Sequence, residues 1–490
     1  MPDTSRNIPF ASLRWLPLAA AMLGLTTASA TGCAAGAEDA GSLSVAPRTD
    51  SDAVHRTRTR QAAARGDRHL VQLDTEVLDP TRASRSFRQL GAEVEWWHEP
   101  TGLVALRGLD GAAARRLRSL GGVRSVTPDG VLGVLGAPPA VTVRGGPEQE
   151  RPSSGGGHRS TRHWNLRAIG APEAWRAGAT GDPAVTVAVV DSGIDYAHRD
   201  LEGRVDLERS VSFVPSDDAL VEEHFPDRHP VTDLNHHGTH VAATIASNGV
   251  VADGVTSDVT LIAVKVVGVE GDIQVSTLLR GVVHAVDAGA DVINLSIGGV
   301  FSRSGNGPWV DQIRAALGYA WVNGAVVVVG AGNDAADMDA EPHLFHAMCD
   351  AGIAICVSAT GPSEPMNTEH AEGEELDRPA SYSNFGAAVD VAAPGGDAES
   401  VWAACSGTSL TIDTCRGRDD FAVGLTGTSM AAPHASGMAA LLVAQHDGPR
   451  LWGRAVEVRN RMERATEDLG AEGHDPHYGH GRIWLPAALD

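Results

Sequence analysis

Three short motifs carry residue types that together can make a serine hydroxyl nucleophilic. Asp191 lies in DSGID, His237 in NHHGTH and Ser429 in LTGTSMAAPH. A carboxylate can orient an imidazole, which then removes the proton of a serine hydroxyl that attacks a carbonyl carbon. Taken singly, these residues are typical of an Asx turn, a capping or surface histidine and a helix N-cap. Their occurrence in the order Asp, His, Ser favours nucleophilic catalysis.

A second serine, Ser409 in CSGTSL, stands in a near-copy of the phrase around Ser429. Small residues follow Ser429, and they allow a helix to begin and pack beneath the serine. Ser409 is instead followed by LTIDTCRGRDD, whose β-branched and charged residues and second cysteine do not continue such a helix. The sequence therefore predicts Ser429 as the nucleophile and places Ser409 in an insertion or long hairpin over 399–424.

The elements that must position these residues alternate between strands and helices from about residue 161 to the end. Helical spacing with capping residues predicts helices over 276–289 and 309–324. Six short, continuous apolar runs are typical of buried parallel strands. Those runs cover 184–190, 259–267, 291–297, 325–330, 353–359 and 388–394. This pattern predicts an α/β fold with an open, mostly parallel sheet flanked by helices, whose sites gather at the carboxyl ends of the strands.

Composition limits the partners that this chain can have. With 490 residues, 42% of them apolar, the chain can bury a large core and form more than one folding unit. Its formal net charge of -23 argues against a nucleic-acid partner, because a basic face is needed to neutralise phosphates.

The first thirty residues have the order of a secretory signal. Basic residues precede the apolar run at 15–25, and small residues follow it. Two cleavage sites compete: ASA at 28–30 suits an ordinary signal peptidase, whereas ATGC resembles a bacterial lipobox that would lipidate Cys33. We therefore expect a secreted or cell-surface protein that meets a membrane only through such a lipid anchor.

Three further segments precede the α/β part. Residues 31–67 have the composition of a disordered tether. Residues 68–133 read as strand, helix, two strands, helix and strand, which is the order of a small α+β ferredoxin-like module. Residues 134–160 are rich in Pro, Gly and Ser and are predicted to form an exposed linker open to proteolysis.

Several phrases of this chain resemble those of one protease family. VAVVDSGID, HGTHVAA and GTSMAAPH look like the three catalytic signatures of the subtilisin-like serine proteases, the subtilases. The flanking segments at 164–175, 380–386 and 477–489 are similar to other parts of the family domain. The resemblance spans about 160–490, and the module at 68–133 resembles the inhibitory propeptide of many members.

The resemblance implies a role for each matching residue. Asp191 would hold His237, and His237 would activate Ser429, while His240 would be structural and His236 leaves a second imidazole to consider. Asn333 would stabilise the oxyanion with the backbone N–H of Ser429. An exposed backbone edge would pair with an extended peptide. The predicted substrate-binding residues are Ser296, Gly298, Ala331 and Gly332.

Cysteines and carboxylates suggest covalent and ionic supports. If Cys33 is lipidated, four cysteines remain and could pair in an oxidising compartment. The candidate pairs are Cys405 with Cys415 and Cys349 with Cys356. The chemistry needs no cofactor, and the family resemblance makes structural calcium a further candidate, although the carboxylates form no contiguous ligand set. The calcium candidates are Asp182, Asp195 and Asp233.

Two function hypotheses follow for this sequence. The first is an exported endopeptidase, made as a zymogen, that cuts itself within 134–160, releases its own 68–133 module and then acts on peptide or protein substrates. The alternative is a catalytically silent, surface-tethered homologue that binds peptides along 294–299. A third hypothesis is an ester-cleaving hydrolase. The sequence argues against it, because it lacks the GxSxG elbow of those enzymes and its catalytic residues come in a different order.

Overall fold

The computed structural model describes residues 67–133, 142–143, 163–346, 348–364, 376–446 and 448–489. The predicted signal segment, the candidate lipobox with Cys33, the tether up to residue 66 and most of the linker lie outside these residues. Within the described part, every helix is too short or too polar to span a bilayer.

The strands and helices of the described residues are numbered here in chain order. The strands are β1 Arg68–Leu73, β2 Glu93–His98, β3 Leu103–Arg107, β4 Val123–Pro128, β5 Val131–Gly133, β6 Thr142–Val143, β7 Thr186–Asp191, β8 Val211–Ser212, β9 Thr260–Lys265, β10 Asp272–Gln274, β11 Val292–Leu295, β12 Val300–Ser302, β13 Val326–Gly330, β14 Leu344–His346, β15 Ile355–Gly361, β16 Arg378–Pro379, β17 Val391–Pro394, β18 Val401–Ala404, β19 Ala422–Leu425, β20 Thr466–Glu467 and β21 Arg482–Ile483. The α-helices are α1 Pro80–Gln89, α2 Gly111–Arg118, α3 Trp164–Ala168, α4 Ala171–Arg176, α5 Pro215–His224, α6 His237–Ile245, α7 Val275–Asp287, α8 Gly307–Val322, α9 Thr428–Ala444 and α10 Trp452–Arg464.

The N-terminal module is a four-stranded antiparallel sheet in the order β2-β3-β1-β4, covered by α1 and α2. Asp79 and Asp110 cap the two helices, because their side chains accept backbone N–H groups of the first turn. Phe87 and Leu117 from the two helices are fully buried in the core of the module. The structure therefore has the ferredoxin-like order of elements that the sequence predicts for this segment.

The large sheet follows the order β20-β21-β17-β15-β13-β11-β7-β9-β8. The pairs from β17 to β8 are parallel. Side chains alternate along β7, so that Val187 and Val189 enter the core shared with α6 and α9, whereas Ala188 and Val190 enter the core shared with α7 and α8. Helices thus cover both faces, and the predicted α/β fold with its mostly parallel sheet is confirmed.

A buried hairpin packs against α6 of the α/β domain. Strands β18 and β19 pair antiparallel, with Val401 opposite Leu425. A disulfide joins Cys405 to Cys415 in the segment between the strands. The second disulfide, Cys349–Cys356, links the short 3-10 turn before β15 to that strand. Both pairings are those that the sequence suggests.

Candidate active site

Asp191 and His237 form the hydrogen-bonded pair of the site. Asp191 is the last residue of β7 and is fully buried, and its Oδ1 accepts a hydrogen bond from Nδ1 of His237 at 2.8 Å. Oδ1 also accepts the N–H of Ser192 at 2.7 Å. Burial lowers the pKa of His237, but the charge and hydrogen bond of Asp191 outweigh it, so that the pKa lies above its ordinary value. The carboxylate therefore fixes the ring orientation and stabilises its protonated form.

The two neighbouring histidines have different surroundings from His237. The Nδ1 of His236 contacts the Asn235 carbonyl and the Thr411 hydroxyl, and burial lowers the pKa of His236 to about 4. His240 is fully buried, its Nε2 bonds the Val401 carbonyl at 3.1 Å, and burial lowers its pKa to about 3. Of these three imidazoles, His237 alone is paired with the carboxylate of Asp191.

A buried carboxylate anchors the start of α6, where His237 stands. Asp233 accepts the hydroxyl of Ser192 at 2.9 Å, and it accepts the N–H and the hydroxyl of Thr239 at 2.9 and 2.6 Å. Gly238 permits a close approach of α6 to the loop after β7. A Cβ at that position would lie 2.2 Å from the Gly193 carbonyl oxygen. The HGT phrase thus brings the imidazole against the end of the strand that carries Asp191.

Ser429 is the second residue of α9, which begins just after a turn at a glycine. Gly427 has φ 155°, a backbone conformation that favours glycine, and the chain turns there into the helix. Ser429 is 3% exposed, and its Oγ donates a hydrogen bond to the Ser296 carbonyl at 3.0 Å. A role of Ser429 as nucleophile would require its hydroxyl to turn from this carbonyl to the Nε2 of His237. Catalytic hydrogen bonds often form fully only when substrate is bound.

The side-chain amide of Asn333 is held beside the nucleophile. Its Oδ1 accepts both the N–H and the hydroxyl of Thr428, each at 2.9 Å. A Cβ at Gly427 would lie 3.4 Å from the Asn333 Nδ2, which places the N–H₂ group next to the turn that presents Ser429. The amide therefore lies beside the turn that carries Ser429, which is compatible with the predicted role of Asn333 as an oxyanion donor.

Replacement of Asn333 by Ala should lower kcat about 10²- to 10³-fold with little change in KM, because the donor acts on charge that exists only in the transition state. The magnitude is the one measured when the oxyanion-hole amide of subtilisin is removed. Steady-state kinetics on a peptide substrate provide the measurement. A rise in KM with unchanged kcat would contradict the assignment.

The four predicted substrate-binding residues take different places. Ser296 is fully buried and accepts the Ser429 hydroxyl through its carbonyl, while Gly298 lies on the segment that continues from β11. Ala331 and Gly332 donate their N–H groups to the Val357 carbonyl and the Thr428 hydroxyl, and their carbonyls accept from Asn384. The N–H groups of Ala331 and Gly332 are therefore used within the protein and are not free to bond a peptide.

The position of β5 near the site was not predicted from the sequence. Strand β10 pairs antiparallel with β5, so that Leu132 lies opposite Ile273. On its other side Leu132 meets Gly299, where an added Cβ would lie 3.2 Å from the Leu132 Cδ2. The end of the N-terminal module therefore lies as an extended strand between β10 and the segment after Ser296. Strand β10 has only three residues between Gly271 and α7, which is too short for the sequence to indicate a strand.

The carboxylates considered for calcium are engaged by protein donors. Asp233 has the partners given above, Asp195 bonds the N–H of Gly407 at 2.8 Å and Arg228 at 3.2 Å, and Asp182 accepts the N–H of Ala184 at 2.8 Å. Among the described residues, no group of three or more acidic, histidine or cysteine side chains is arranged to hold a metal ion.

Comparison with known proteins identifies similar sequences. The family model described as "Subtilase family" matches residues 182–481. A thermophilic serine proteinase of Bacillus sp. (strain AK1) is 31% identical over 307 residues, which are 62% of this chain and 61% of that protein. Thermitase of Thermoactinomyces vulgaris is 30% identical over 66% of this chain and 94% of its own length. A Bacillus pumilus subtilisin is 33% identical over 66% of this chain and 98% of its own length.

Solved structures share the fold over a larger part of the chain. Fervidolysin from Fervidobacterium pennivorans, a keratinolytic enzyme related to subtilisin, covers 86% of this chain with a TM-score of 0.62 and 24% identity, and 60% of its own length is matched. The epidermin leader peptide processing serine protease of Staphylococcus aureus also covers 86% of this chain, with 97% of its own length matched, a TM-score of 0.66 and 18% identity.

Proposed function

This chain belongs to the subtilase family of serine endopeptidases, and from that premise we propose that it hydrolyses peptide bonds through Asp191, His237 and Ser429. The match to the family model and the similar proteases confirm the predicted family and enzyme class. The observation that carries the triad is the 2.8 Å hydrogen bond between Asp191 and His237 at the sheet edge where α9 presents Ser429.

The proposed reaction has two halves that balance in protons. His237 Nε2 takes the proton of Ser429 as Oγ attacks the scissile carbonyl, and the oxyanion is stabilised by Asn333 and the N–H of Ser429. His237 then gives the proton to the leaving amine as the carbon–nitrogen bond breaks. Water, deprotonated by the same imidazole, hydrolyses the acyl-enzyme and restores the Ser429 hydroxyl.

We further propose that the module at 68–133 is an inhibitory propeptide. Its support is the docking of the module on α7 and α8 beside the cleft. The Asp129 carboxylate accepts the N–H and the hydroxyl of Ser276 at 3.0 and 2.5 Å, which caps the start of α7. Trp309 of α8 donates its indole N–H to the Pro128 carbonyl at 3.2 Å. A module so placed, with β5 in the cleft, would exclude other peptides.

Two strands of the chain narrow the region of self-cleavage. β5 runs toward the Asp272 end of β10, on the side of Val269, whose carbonyl accepts the side-chain N–H of Asn235 two residues before His237. β6 pairs with β19, which ends four residues before Ser429. Residues 134–141 separate the two strands and lie outside the described residues. We propose that the cleaved bond lies between β5 and β6 rather than elsewhere in 134–160.

Mass analysis and N-terminal sequencing of the secreted protein test this proposal. We expect the wild-type protein to be cut so that the first residue of the mature chain falls within 134–142, whereas Ser429→Ala stays joined to its module. A mature chain that begins at 145 or later would contradict the location but keep self-processing. If both proteins stay uncut and unreactive, the silent peptide-binding alternative replaces the protease.

Export and anchoring belong to the same proposal. We propose that residues 1–30 direct secretion and that Cys33 is a candidate for lipidation, as the alternative cleavage site suggests. In that case cleavage after β5 leaves the lipid on the module and frees the catalytic domain. The proposed partners are therefore a peptide or protein substrate and the chain's own module. The acyl mass on the N-terminal peptide distinguishes a lipoprotein from an ordinary secreted protein.

A further inference from the structure

We propose that the segment 406–411, which contains the near-copy of the nucleophile phrase, positions the catalytic imidazole of His237. The inference rests on the proposed catalytic role of His237. Ser409 itself is fully buried and gives its hydroxyl proton to a backbone carbonyl, so this serine serves as a structural donor. The segment acts through the backbone of residues 233–235, which precede His236 and the start of α6.

The contacts involve three consecutive carbonyl groups, those of Asp233, Leu234 and Asn235. Each of the three accepts at least one hydrogen bond from the segment 406–411. The Asp233 carbonyl accepts from Ser406 Oγ at 2.7 Å and Thr408 Oγ1 at 2.9 Å, the Leu234 carbonyl from Leu410 N at 2.7 Å, and the Asn235 carbonyl from Ser409 Oγ at 2.6 Å and Thr411 Oγ1 at 2.5 Å. Four hydroxyls and one N–H thus fix the approach of the chain to the catalytic histidine.

The chain before His237 needs such support because its last residue, His236, has a strained backbone. His236 has φ 133° although it is not glycine, a conformation that persists only where its surroundings impose it. The Thr411 hydroxyl also contacts the His236 Nδ1 at 2.9 Å. If His236 relaxed, the next residue, His237, would move away from Asp191. The hydroxyls prevent this movement because they hold the backbone before His236 in place.

The segment is itself held in place from several sides. The disulfide Cys405–Cys415 closes it, and the N–H of Gly407 is bonded to the carboxylate of Asp195 at 2.8 Å. The Ser409 Oγ also accepts the N–H of Ile412 at 3.0 Å, so the hydroxyl closes a local turn while it donates to Asn235. A rigid donor array of this kind can determine a backbone position rather than merely follow it.

Loss of these donors should affect turnover more than substrate binding. Displacement of a catalytic group by about 1 Å lowers the rate roughly 10²-fold. We therefore expect kcat to fall about 10- to 100-fold with KM nearly unchanged, because the hydrogen bonds of the segment reach the backbone that leads to His237. A weakened bond to Asp191 lowers the pKa of His237, so the acid limb of the kcat profile should move to lower pH.

Four variants at exposed or small side chains separate positioning from folding. Ser409→Ala and Thr411→Val remove the two hydroxyls that bond the Asn235 carbonyl, while Thr411→Ser keeps a hydroxyl and should restore kcat and the acid limb. Thr414→Val is the matched control, since Thr414 is an exposed threonine of the same hairpin and takes no part in these hydrogen bonds within the described residues. Its kinetics should equal those of the wild type.

Kinetics are measured on the matured proteins, and active sites are counted by titration with a fluorophosphonate. A lower kcat per titrated site with a shifted acid limb, in Ser409→Ala and Thr411→Val but not in Thr414→Val, supports the positioning role. Fewer titratable sites with an unchanged kcat per site would indicate a folding effect and overturn the inference. Unchanged kinetics in both variants would overturn it while the proposed protease stands. An inactive wild-type protein would overturn both.

Discussion

Replacement of Ser429 by Ala is expected to lower kcat by about 10⁶, because the variant lacks the hydroxyl that is proposed to form the acyl-enzyme. The magnitude is the one measured for the nucleophile of subtilisin, a member of the same family. Ser429 is the residue that α9 presents after the turn at Gly427, and its Oγ lies 3.0 Å from the Ser296 carbonyl at the cleft. Turnover of a peptide substrate provides the measurement, after an added protease has cut the linker and the module has been removed from wild type and variant alike.

The matched comparison is Ser409→Ala, which changes the serine of the near-copy. This variant should keep its reaction with fluorophosphonate and retain at least about one hundredth of the wild-type kcat, since only the position of His237 is disturbed. Retention of turnover by Ser429→Ala, together with its loss in Ser409→Ala, would reverse the roles of the two serines.

Replacement of Asp191 by Asn has the second-largest expected effect, about 10⁴ in kcat, the size known when Asn replaces the triad aspartate of a chymotrypsin-type protease. The introduced amide would carry no charge to stabilise the imidazolium and could favour the wrong tautomer of His237. The side chain is of nearly the same size, so the buried packing at the end of β7 should remain. The loss is therefore expected in kcat, with thermal stability largely retained.

The same variant has a predicted pH dependence with a definite sign. His237 acts as a base only when neutral, so activity is present above its pKa and is lost as the pH falls through it. In the wild type Asp191 raises this pKa against the lowering effect of burial. Without the charge the pKa falls, and the acid limb of the residual kcat should move to lower pH. An acid limb at the wild-type position would show that Asp191 does not set the pKa of His237.

The sequence was sufficient where the signal is local. Apolar runs marked the strands that end at Asp191 and before Asn333, and the small residues after Ser429 marked the helix α9. The same argument kept Ser409 out of the helix, and the structure places it in a hairpin segment. Each of these features depends on residues within about ten positions of one another, so that periodicity and side-chain size determine them.

The long-range contacts had no such signal. The hydroxyls of Ser409 and Thr411 meet the Asn235 carbonyl across 174 and 176 positions of the chain. A backbone carbonyl accepts equally well from many donors, so residue types do not reveal this pairing. Likewise the pairing of β5 with β10 needs the docked module, and the direction of the Ser429 hydroxyl depends on a single side-chain torsion.

The central claim is that Ser429 is the activated nucleophile of the site. Fluorophosphonate labelling followed by peptide mapping tests it most directly, because Arg416 and Arg418 allow trypsin to separate the peptides of Ser409 and Ser429. We predict a single adduct on the Ser429 peptide of the mature wild-type protein. An adduct on the Ser409 peptide, or no adduct on a folded and processed protein, would contradict it.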